Sequence, residues 1–281
     1  MGEIDYLLIG HVCKDLTPEG PRLGGTVSFS ALTARALGQR VGILTSAPDD
    51  MIPLLHPLDG LPLIRVPASR PTTFKNIYTP DGRVQMLLGR ATPLRFSHVP
   101  PEWRSAGIVH LAPVADEVDP ALAGQFPASM VGVTPQGWMR RWDVEGRVSF
   151  RPWRDAEQVL RLAMAVVLSI EDVGGDEGLL RRYARQARVM VVTRGAEGCT
   201  LYLRGDPHTV PAPRVVERDP TGAGDIFAAA FFVRLRATGD PLGAARFATR
   251  LASYSVTREG PDSIPGDAEI EEALSESRGQ R

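Results

Sequence analysis

The run Arg218-Asp219-Pro220-Thr221-Gly222-Ala223-Gly224-Asp225-Ile226-Phe227-Ala228-Ala229-Ala230-Phe231 leads a polar, glycine-rich turn straight into an apolar segment. Pro220 and the glycines forbid a helix before about Ala223, while Ile226, Phe227, Ala230 and Phe231 supply a buried face at helical spacing. The amides of Gly222, Ala223 and Gly224 then stand at a helix N-terminus, without acceptors in the helix and able to bind an anion. Glycine there lets a phosphate approach the backbone with no Cβ in the way. Asp225 falls in the first turn beside that anion site. A carboxylate so placed can take the proton of an attacking hydroxyl while the amides stabilise charge on the transferred group. The plain alternative is an aspartate that only complements the helix dipole, worth about 0.3–1 kcal/mol.

Other chemistry-bearing residues are sparse. Lys14 and Lys75 are the only lysines, so 30 of the 32 basic residues are arginine. No Gly-Lys-Ser/Thr occurs, which excludes a P-loop and leaves backbone amides, arginine and metal to hold phosphate. His11, His56, His98, His110 and His208 show no metal-ligand spacing. His11 stands apart only in closing the first apolar run near Asp15. Cys13 and Cys199 read as small buried hydrophobes, and Trp138, Trp142 and Trp153 as packing residues of the core or a lid. Gln136, Arg140 and Arg141 either face a pocket across the sheet edge or, for the arginines, form a solvated charged surface.

These groups need a scaffold, and the pattern of apolar runs supplies one. Runs at Tyr6–Val12, Val41–Ala47, Gly107–Val114, Met130–Thr134, Ala165–Ile170 and Val189–Thr193 are apolar almost throughout, as in parallel strands covered on both faces. Helix-like stretches fall at Ser28–Leu37, Asp155–Ala163, Glu177–Arg188 and Asp225–Thr238. The rhythm predicts an open, mostly parallel α/β sheet with ligand sites at the strand carboxyl ends. Two stretches break it. Leu63–Val66, Phe74–Thr79, a Pro80-Asp81-Gly82 turn and Arg83–Leu88 read as a β-meander standing off the main domain. Val189–Thr193, a turn at Gly195-Ala196-Glu197-Gly198 and Cys199–Leu203 read as a hairpin. The tail after Gly266 reads as a short helix.

The chain has 281 residues, 43% hydrophobic and 23% charged, enough for one large α/β domain or two ordinary ones. With 32 basic and 33 acidic side chains and a net charge of -1, it offers no electrostatic case for nucleic acid or a membrane surface. No apolar stretch reaches the roughly 18 residues of a membrane span. Two cysteines cannot form a disulfide framework, and the first residues are acidic where a signal peptide is basic. The expected setting is the cytoplasm.

Asp219-Pro220-Thr221-Gly222-Ala223-Gly224-Asp225 resembles the C-terminal signature of the ribokinase-like (PfkB) carbohydrate kinases, whose usual form has Thr where Pro220 stands. The resemblance implies that Asp225 is the catalytic base and that the Gly222, Ala223 and Gly224 amides form the anion hole. Leu23-Gly24-Gly25-Thr26 is similar to the family's N-terminal Gly-Gly signature beside the acceptor sugar. Asp15 matches an aspartate that grips acceptor hydroxyls, a task suited to a carboxylate. Val191 to Gly198 resembles the nucleotide-side strand and turn, and Ser253 falls where the last core helix borders the adenine pocket. The likeness runs from about residue 4 to 265. It implies one domain over 1–281, a mostly parallel sheet flanked by helices, and a small antiparallel β lid from about 13–22 and 63–90.

Three departures stand out. Phe29 occupies a place where many members carry Asn, with Ser28 beside it. The Asn-x-x-Glu element that organises Mg²⁺ and phosphate waters is present only as Ser169-Ile170-Glu171-Asp172, with Asp172 at the Glu position. The alternative for Glu171 and Asp172 is a solvated pair after a strand. The chain is also short, which leaves a small lid. Apart from these three, Thr26 stands where ribokinase-type members can carry Lys. Gly10 to Asp15, Leu23 to Phe29 and Gly195 to Tyr202 look similar to the inositol-kinase branch.

The expectation is an ATP- and Mg²⁺-dependent kinase for a hydroxyl of a sugar or cyclic polyol, myo-inositol among them. The acceptor would lie between Asp15, Gly24, Gly25, Ser28 and Thr73. ATP would lie along Thr193, Gly195, Gly198, Thr221, Gly222 and Ser253, and the metal near Asp172 and Glu171 through water. The partner is the small molecule itself, with the chain a monomer or a lid-mediated homodimer. A kinase for a different sugar or a nucleoside is the alternative within the same class, and two other classes stay open. A catalytically weak ATP-binding sensor would keep the fold, and a dinucleotide oxidoreductase would share the α/β rhythm. The latter lacks its Gly-x-Gly-x-x-Gly after the first strand.

Overall fold

We describe a computed structural model of the chain over residues 2–79 and 82–278. The turn predicted at Pro80 and Asp81 lies outside the described residues. The strands are β1 (Tyr6–Ile9), β2 (Cys13–Thr17), β3 (Gly20–Gly24), β4 (Val41–Ser46), β5 (Leu63–Val66), β6 (Thr72–Thr79), β7 (Gly82–Gly89), β8 (Ile108–Leu111), β9 (Met130–Val133), β10 (Arg140–Trp142), β11 (Val148–Phe150), β12 (Ala165–Ser169), β13 (Val189–Thr193), β14 (Cys199–Leu203) and β15 (Asp206–Val210). The helices are α1 (Thr26–Ala36), α2 (Ala156–Leu162), α3 (Glu177–Gln186), α4 (Ala223–Thr238), α5 (Pro241–Ser255) and α6 (Asp267–Arg278).

A large sheet runs in the order β15-β14-β13-β12-β9-β8-β1-β4-β5. It is parallel from β13 to β5, and β13, β14 and β15 close one edge as an antiparallel meander. The uniformly apolar strands are those with both faces covered. One face packs on Trp138, Trp153, α2 and α3, and the other on α1, α4, α5 and α6. Stacked Trp138 and Trp153 rings, 5.5 Å apart, belong to that core, which is the packing role expected of them. Among the described residues no helix is long and apolar enough to cross a membrane.

The second sheet, β3-β2-β6-β7, is the predicted small β layer. Its outer pairs are antiparallel, and β2 meets β6 in parallel. The structure corrects one part of the meander. Leu63–Val66 pairs with Ile43–Ser46 as the edge of the large sheet, so the small sheet takes up the chain only from Thr72. A hydrophobicity pattern marks a strand but not its sheet, because pairing is settled by non-local register. Two further elements, β15 and most of α5, lie in stretches without a distinct pattern of their own.

His11 joins the two sheets. Its Nε2 donates to the Thr92 carbonyl at 2.8 Å, and its Nδ1 accepts from the Thr72 hydroxyl at 2.7 Å. Thr72 Oγ1 in turn accepts the Ala91 amide at 3.0 Å. On its second pass the chain enters the small sheet at Thr72 and leaves it near Ala91, so one buried imidazole ties both crossings of that pass to the end of β1.

Candidate active site

α4 begins where the glycine-rich turn predicts. Gly222 is its N-cap with φ of 81°, and the Asp219 carboxylate accepts the Thr221 amide at 2.9 Å to hold the turn. A Cβ on Gly222 would fall 2.4 Å from Phe29 Cδ1, so Phe29 packs flat beneath this loop instead of reaching toward an acceptor. The three amides of the expected anion hole divide. Ala223 N turns back to the Pro220 carbonyl at 3.2 Å. Among the described residues, the Gly222 and Gly224 amides have no protein acceptor, and nothing lies within 4 Å of a Cβ placed on Gly224. An anion approaching there meets open backbone at a helix N-terminus.

Asp225 is fixed from α1. The Thr26 hydroxyl donates to its carboxylate, and Ser30 Oγ donates to its carbonyl at 3.0 Å. Burial pushes the Asp225 carboxyl up to about 6, with Asp172 and Asp15 adding to the rise and Thr26 and Arg140 opposing it. A carboxylate so poised is ionised at neutral pH yet more basic than an ordinary one, which suits proton abstraction.

On the other side stands Asp15, in β2. A Cβ on Gly24 would fall 1.9 Å from its Oδ2, so the carboxylate reaches diagonally over the glycine of the facing strand, which itself pairs with Cys13. Burial pushes Asp15 up to about 6 as well, against the pull of Arg140. Gly25, at φ of 90°, caps α1, and a Cβ there would meet the His11 carbonyl at 2.6 Å. Ser28 donates to the Gly24 carbonyl at 2.8 Å, which commits its hydroxyl proton to the helix start. In the parallel pair β2–β6, Asp15 stands level with Phe74 and Lys14 with Thr73. Side chains alternate along a strand, so Phe74, rather than Thr73, shares the Asp15 face.

The carboxyl ends of β12 and β13 bring Ser169 beside Thr193. Asp172 accepts the Ser169 amide at 2.8 Å and the Gln136 side-chain amide at 2.9 Å. Burial raises its pKa, against both hydrogen bonds and Arg140. Glu171 is exposed. Gly195 has φ of 56° and open space around it, whereas a Cβ on Gly198 would strike the Val210 carbonyl at 2.1 Å, which makes Gly198 a requirement of the hairpin turn. Arg194 is held by Glu177 at 2.6 Å. Ser253 is buried and donates to the Thr249 carbonyl at 2.8 Å within α5. A polar cleft of about 650 Å³ opens beside the start of the turn, lined by Arg218, Arg258, Glu259, Asp262 and Ile264.

The described residues contain no group of three or more His, Cys, Asp or Glu that could hold a metal ion. Asp172 has one hydrogen bond on each oxygen and keeps lone pairs for water. That fits Mg²⁺, which retains several waters and needs only one or two carboxylates beside substrate phosphates.

Three contributors carry little signal in the sequence. Thr26 follows the Gly-Gly pair but shows its role only through contact with Asp225. Glu117, fully buried, accepts the amides of His11 at 3.1 Å, Val114 at 3.0 Å and Ala115 at 2.6 Å, and so locks the ends of β1 and β8 beneath the cleft. Arg140 is partly buried and lies among Asp15, Asp172 and Asp225, while Arg141 is exposed on Ser149. The solvated reading holds for Arg141 and fails for Arg140.

Solved structures match nearly the whole chain, among them the following two. A structure of a pyrophosphate-dependent myo-inositol-1 kinase converted into a myo-inositol-3 kinase aligns with a TM-score of 0.79 at 22% identity, covering 97% of this chain and 99% of that one. Ribokinase of Arabidopsis thaliana, complexed with ribose and ATP, aligns at 0.74 and 17% identity, with coverage of 97% and 99%. The chain has the ribokinase fold. Within it, residues 168–267, which include the turn, Asp225 and Asp172, match the pfkB family carbohydrate kinase pattern. Fructokinase of Klebsiella pneumoniae is 32% identical over 173 residues, which is 54% of this chain and 53% of that protein. Inositol 3-kinase of Zea mays is 26% identical over 253 residues, 81% of this chain and 65% of that protein. The ribokinase-fold chain spans about half the length of the first curated relatives it matches.

Proposed function

We propose that the chain is a kinase that transfers the γ-phosphoryl group of ATP to a hydroxyl of an uncharged sugar or cyclic polyol. The observation that carries this reading is the Asp225 carboxylate, poised near 6, beside the unpartnered Gly222 and Gly224 amides at the start of α4. Asp15 would hold acceptor hydroxyls from the lid side. Asp225 would accept the proton of the attacking hydroxyl, with Thr26 keeping the carboxylate ionised and aimed. The two amides would take up charge on the phosphoryl oxygens. The small sheet would cover the cleft and exclude water, which otherwise competes as acceptor. Mg²⁺, held through water by Asp172, would supply charge neutralisation on the phosphates.

An inositol-like acceptor is supported by the Zea mays inositol 3-kinase match, which covers most of this chain, and by the likeness to the myo-inositol kinase structure. A second reading of the donor, inorganic pyrophosphate, has its own support. The cleft beside the turn sets Arg218 and Arg258 against Glu259 and Asp262, with Arg258 also paired to Glu269, and its single aliphatic side chain, Ile264, offers little apolar surface to a purine. A structural relative is described as pyrophosphate-dependent. The test is a screen of phosphoryl transfer with ATP and with pyrophosphate across myo-inositol, fructose, ribose and nucleosides. Transfer to myo-inositol is the expected result. Turnover confined to a nucleoside or furanose would overturn the acceptor assignment, and donor binding with no transfer to any acceptor would overturn the kinase reading in favour of a sensor.

A further inference from the structure

Three carboxylates converge on the cleft, and phosphoryl transfer would bring in still more negative charge. The lysines do not supply the balance. Lys14 and Lys75 stand level with Thr73 and Leu16 in the β2–β6 pair, so both alternate away from the face that carries Asp15 and Phe74. Arg140, the first residue of β10, reaches that face. Its guanidinium lies 5.4 Å from the Phe74 ring centroid, and its Nη1 donates to the Val114 carbonyl at 3.0 Å. Phe74 is the cross-strand neighbour of Asp15, which places the guanidinium near the carboxylate at the acceptor end. Four residues earlier, Gln136 holds Asp172 at 2.9 Å at the phosphate end. The segment Gln136–Arg140 thus spans the cleft from one side to the other. Arg140 also favours the charged form of Asp15, Asp172 and Asp225 together.

We infer that Arg140 is a further catalytic residue, whose guanidinium binds the phosphoryl group in flight between donor and acceptor. This rests on the kinase reading above. The acceptor oxygen forms its bond to phosphorus as the bridging P–O bond to the donor breaks. The hydroxyl proton goes to Asp225, and the bond pair leaves with the diphosphate or phosphate product. Arg140 stays charged throughout and supplies planar donors to the equatorial oxygens. Its stacking on Phe74, a residue of the small sheet, couples that placement to the lid: the guanidinium is aimed only when the β6 ring lies beneath it.

The test uses Arg140→Ala and Arg140→Lys in the full chain, with melting temperature measured alongside steady-state kinetics. For Arg140→Ala, kcat should fall by about 10²–10³ with both KM values within about fivefold, the pattern of an interaction made in the transition state. Guanidinium added at tens of millimolar should restore activity at least tenfold in this variant and leave Asp225→Asn unrescued. Arg140→Lys keeps the charge without the planar fork and should lose about tenfold or more at an unchanged melting temperature. Arg140→Ala turning over within threefold of wild type would overturn the inference, and so would a loss that guanidinium leaves untouched. If Arg140→Ala does not fold, an undiminished kcat in Arg140→Lys overturns it. A wild-type protein that transfers phosphate to no sugar or polyol overturns the kinase reading itself, before any variant is compared.

Discussion

Asp225→Asn separates chemistry from stability because the two effects have opposite signs. The Asp225 carboxyl titrates near 6 in the folded chain against an ordinary value of 3.8, and burial is the main cause. A raised carboxyl pKa means that the folded state binds the proton more tightly than the unfolded state. The group therefore costs nothing while protonated, and its cost develops as pH rises from about 4 to about 6. The full cost is about 1–3 kcal/mol, taking 1.36 kcal/mol per unit and allowing for relaxation around a partly buried group. Asn has nearly the same shape, still accepts from Thr26 and carries no charge. The variant should melt like wild type at pH 4 and higher than wild type at pH 7–8, by about 2–8 °C in a chain of this size. Turnover should fall by about 10²–10⁴, the usual contribution of a general base. In the wild type, kcat/KM for the acceptor should fall about tenfold between pH 7 and pH 5, as protonation of the free chain removes the base. Melting curves at pH 4 and pH 8, with donor cleavage followed in the presence of acceptor, make the measurement. A variant that is both active and no more stable at pH 8 would refute the assignment of Asp225 as a desolvated base.

Further outcomes follow from contacts around it. Gly24→Ala would drive a Cβ into the space of Asp15 Oδ2, so acceptor KM should rise more than tenfold while the donor KM stays within about twofold; steady-state kinetics in both substrates checks this. Gly222→Ala combines a φ of 81° with a clash against Phe29, and should cost about 1–3 kcal/mol in denaturant unfolding together with weaker donor binding. Asp172→Asn should raise the Mg²⁺ concentration for half-maximal activity about 10-fold or more, read from a metal titration of turnover. His11→Ala removes the tie between Thr72 and Thr92, and should lower stability by about 2–4 kcal/mol while raising acceptor KM through a misplaced small sheet.

The Asp219–Asp225 turn was legible in the sequence because its information is local. Proline, glycine and an apolar helical face together dictate where α4 starts and where the open amides stand. The central strands were legible for the same reason, since burial on both faces leaves nearly unbroken apolar runs at β1, β4, β8 and β12. Leu63–Val66 was placed in the wrong sheet because the side to which a strand pairs depends on a partner far along the chain. The Arg140 and Arg141 pair shows the limit sharply. Two adjacent arginines have the same local signature, yet the alternation of β10 sends one inward over Phe74 and the other to Ser149. Thr26 and Glu117 were invisible as site residues because their importance lies in what faces them, Asp225 for one and three converging amides for the other.

The central claim is that this cleft moves a phosphoryl group onto an uncharged hydroxyl compound. The most direct measurement follows the terminal phosphoryl group of ATP or pyrophosphate by ³¹P NMR in the presence of myo-inositol. The account predicts a phosphate monoester of the polyol, formed in step with donor consumption and about a hundredfold or more slower with Asp225→Asn. Donor consumed to free inorganic phosphate at the same rate with and without acceptor would contradict it.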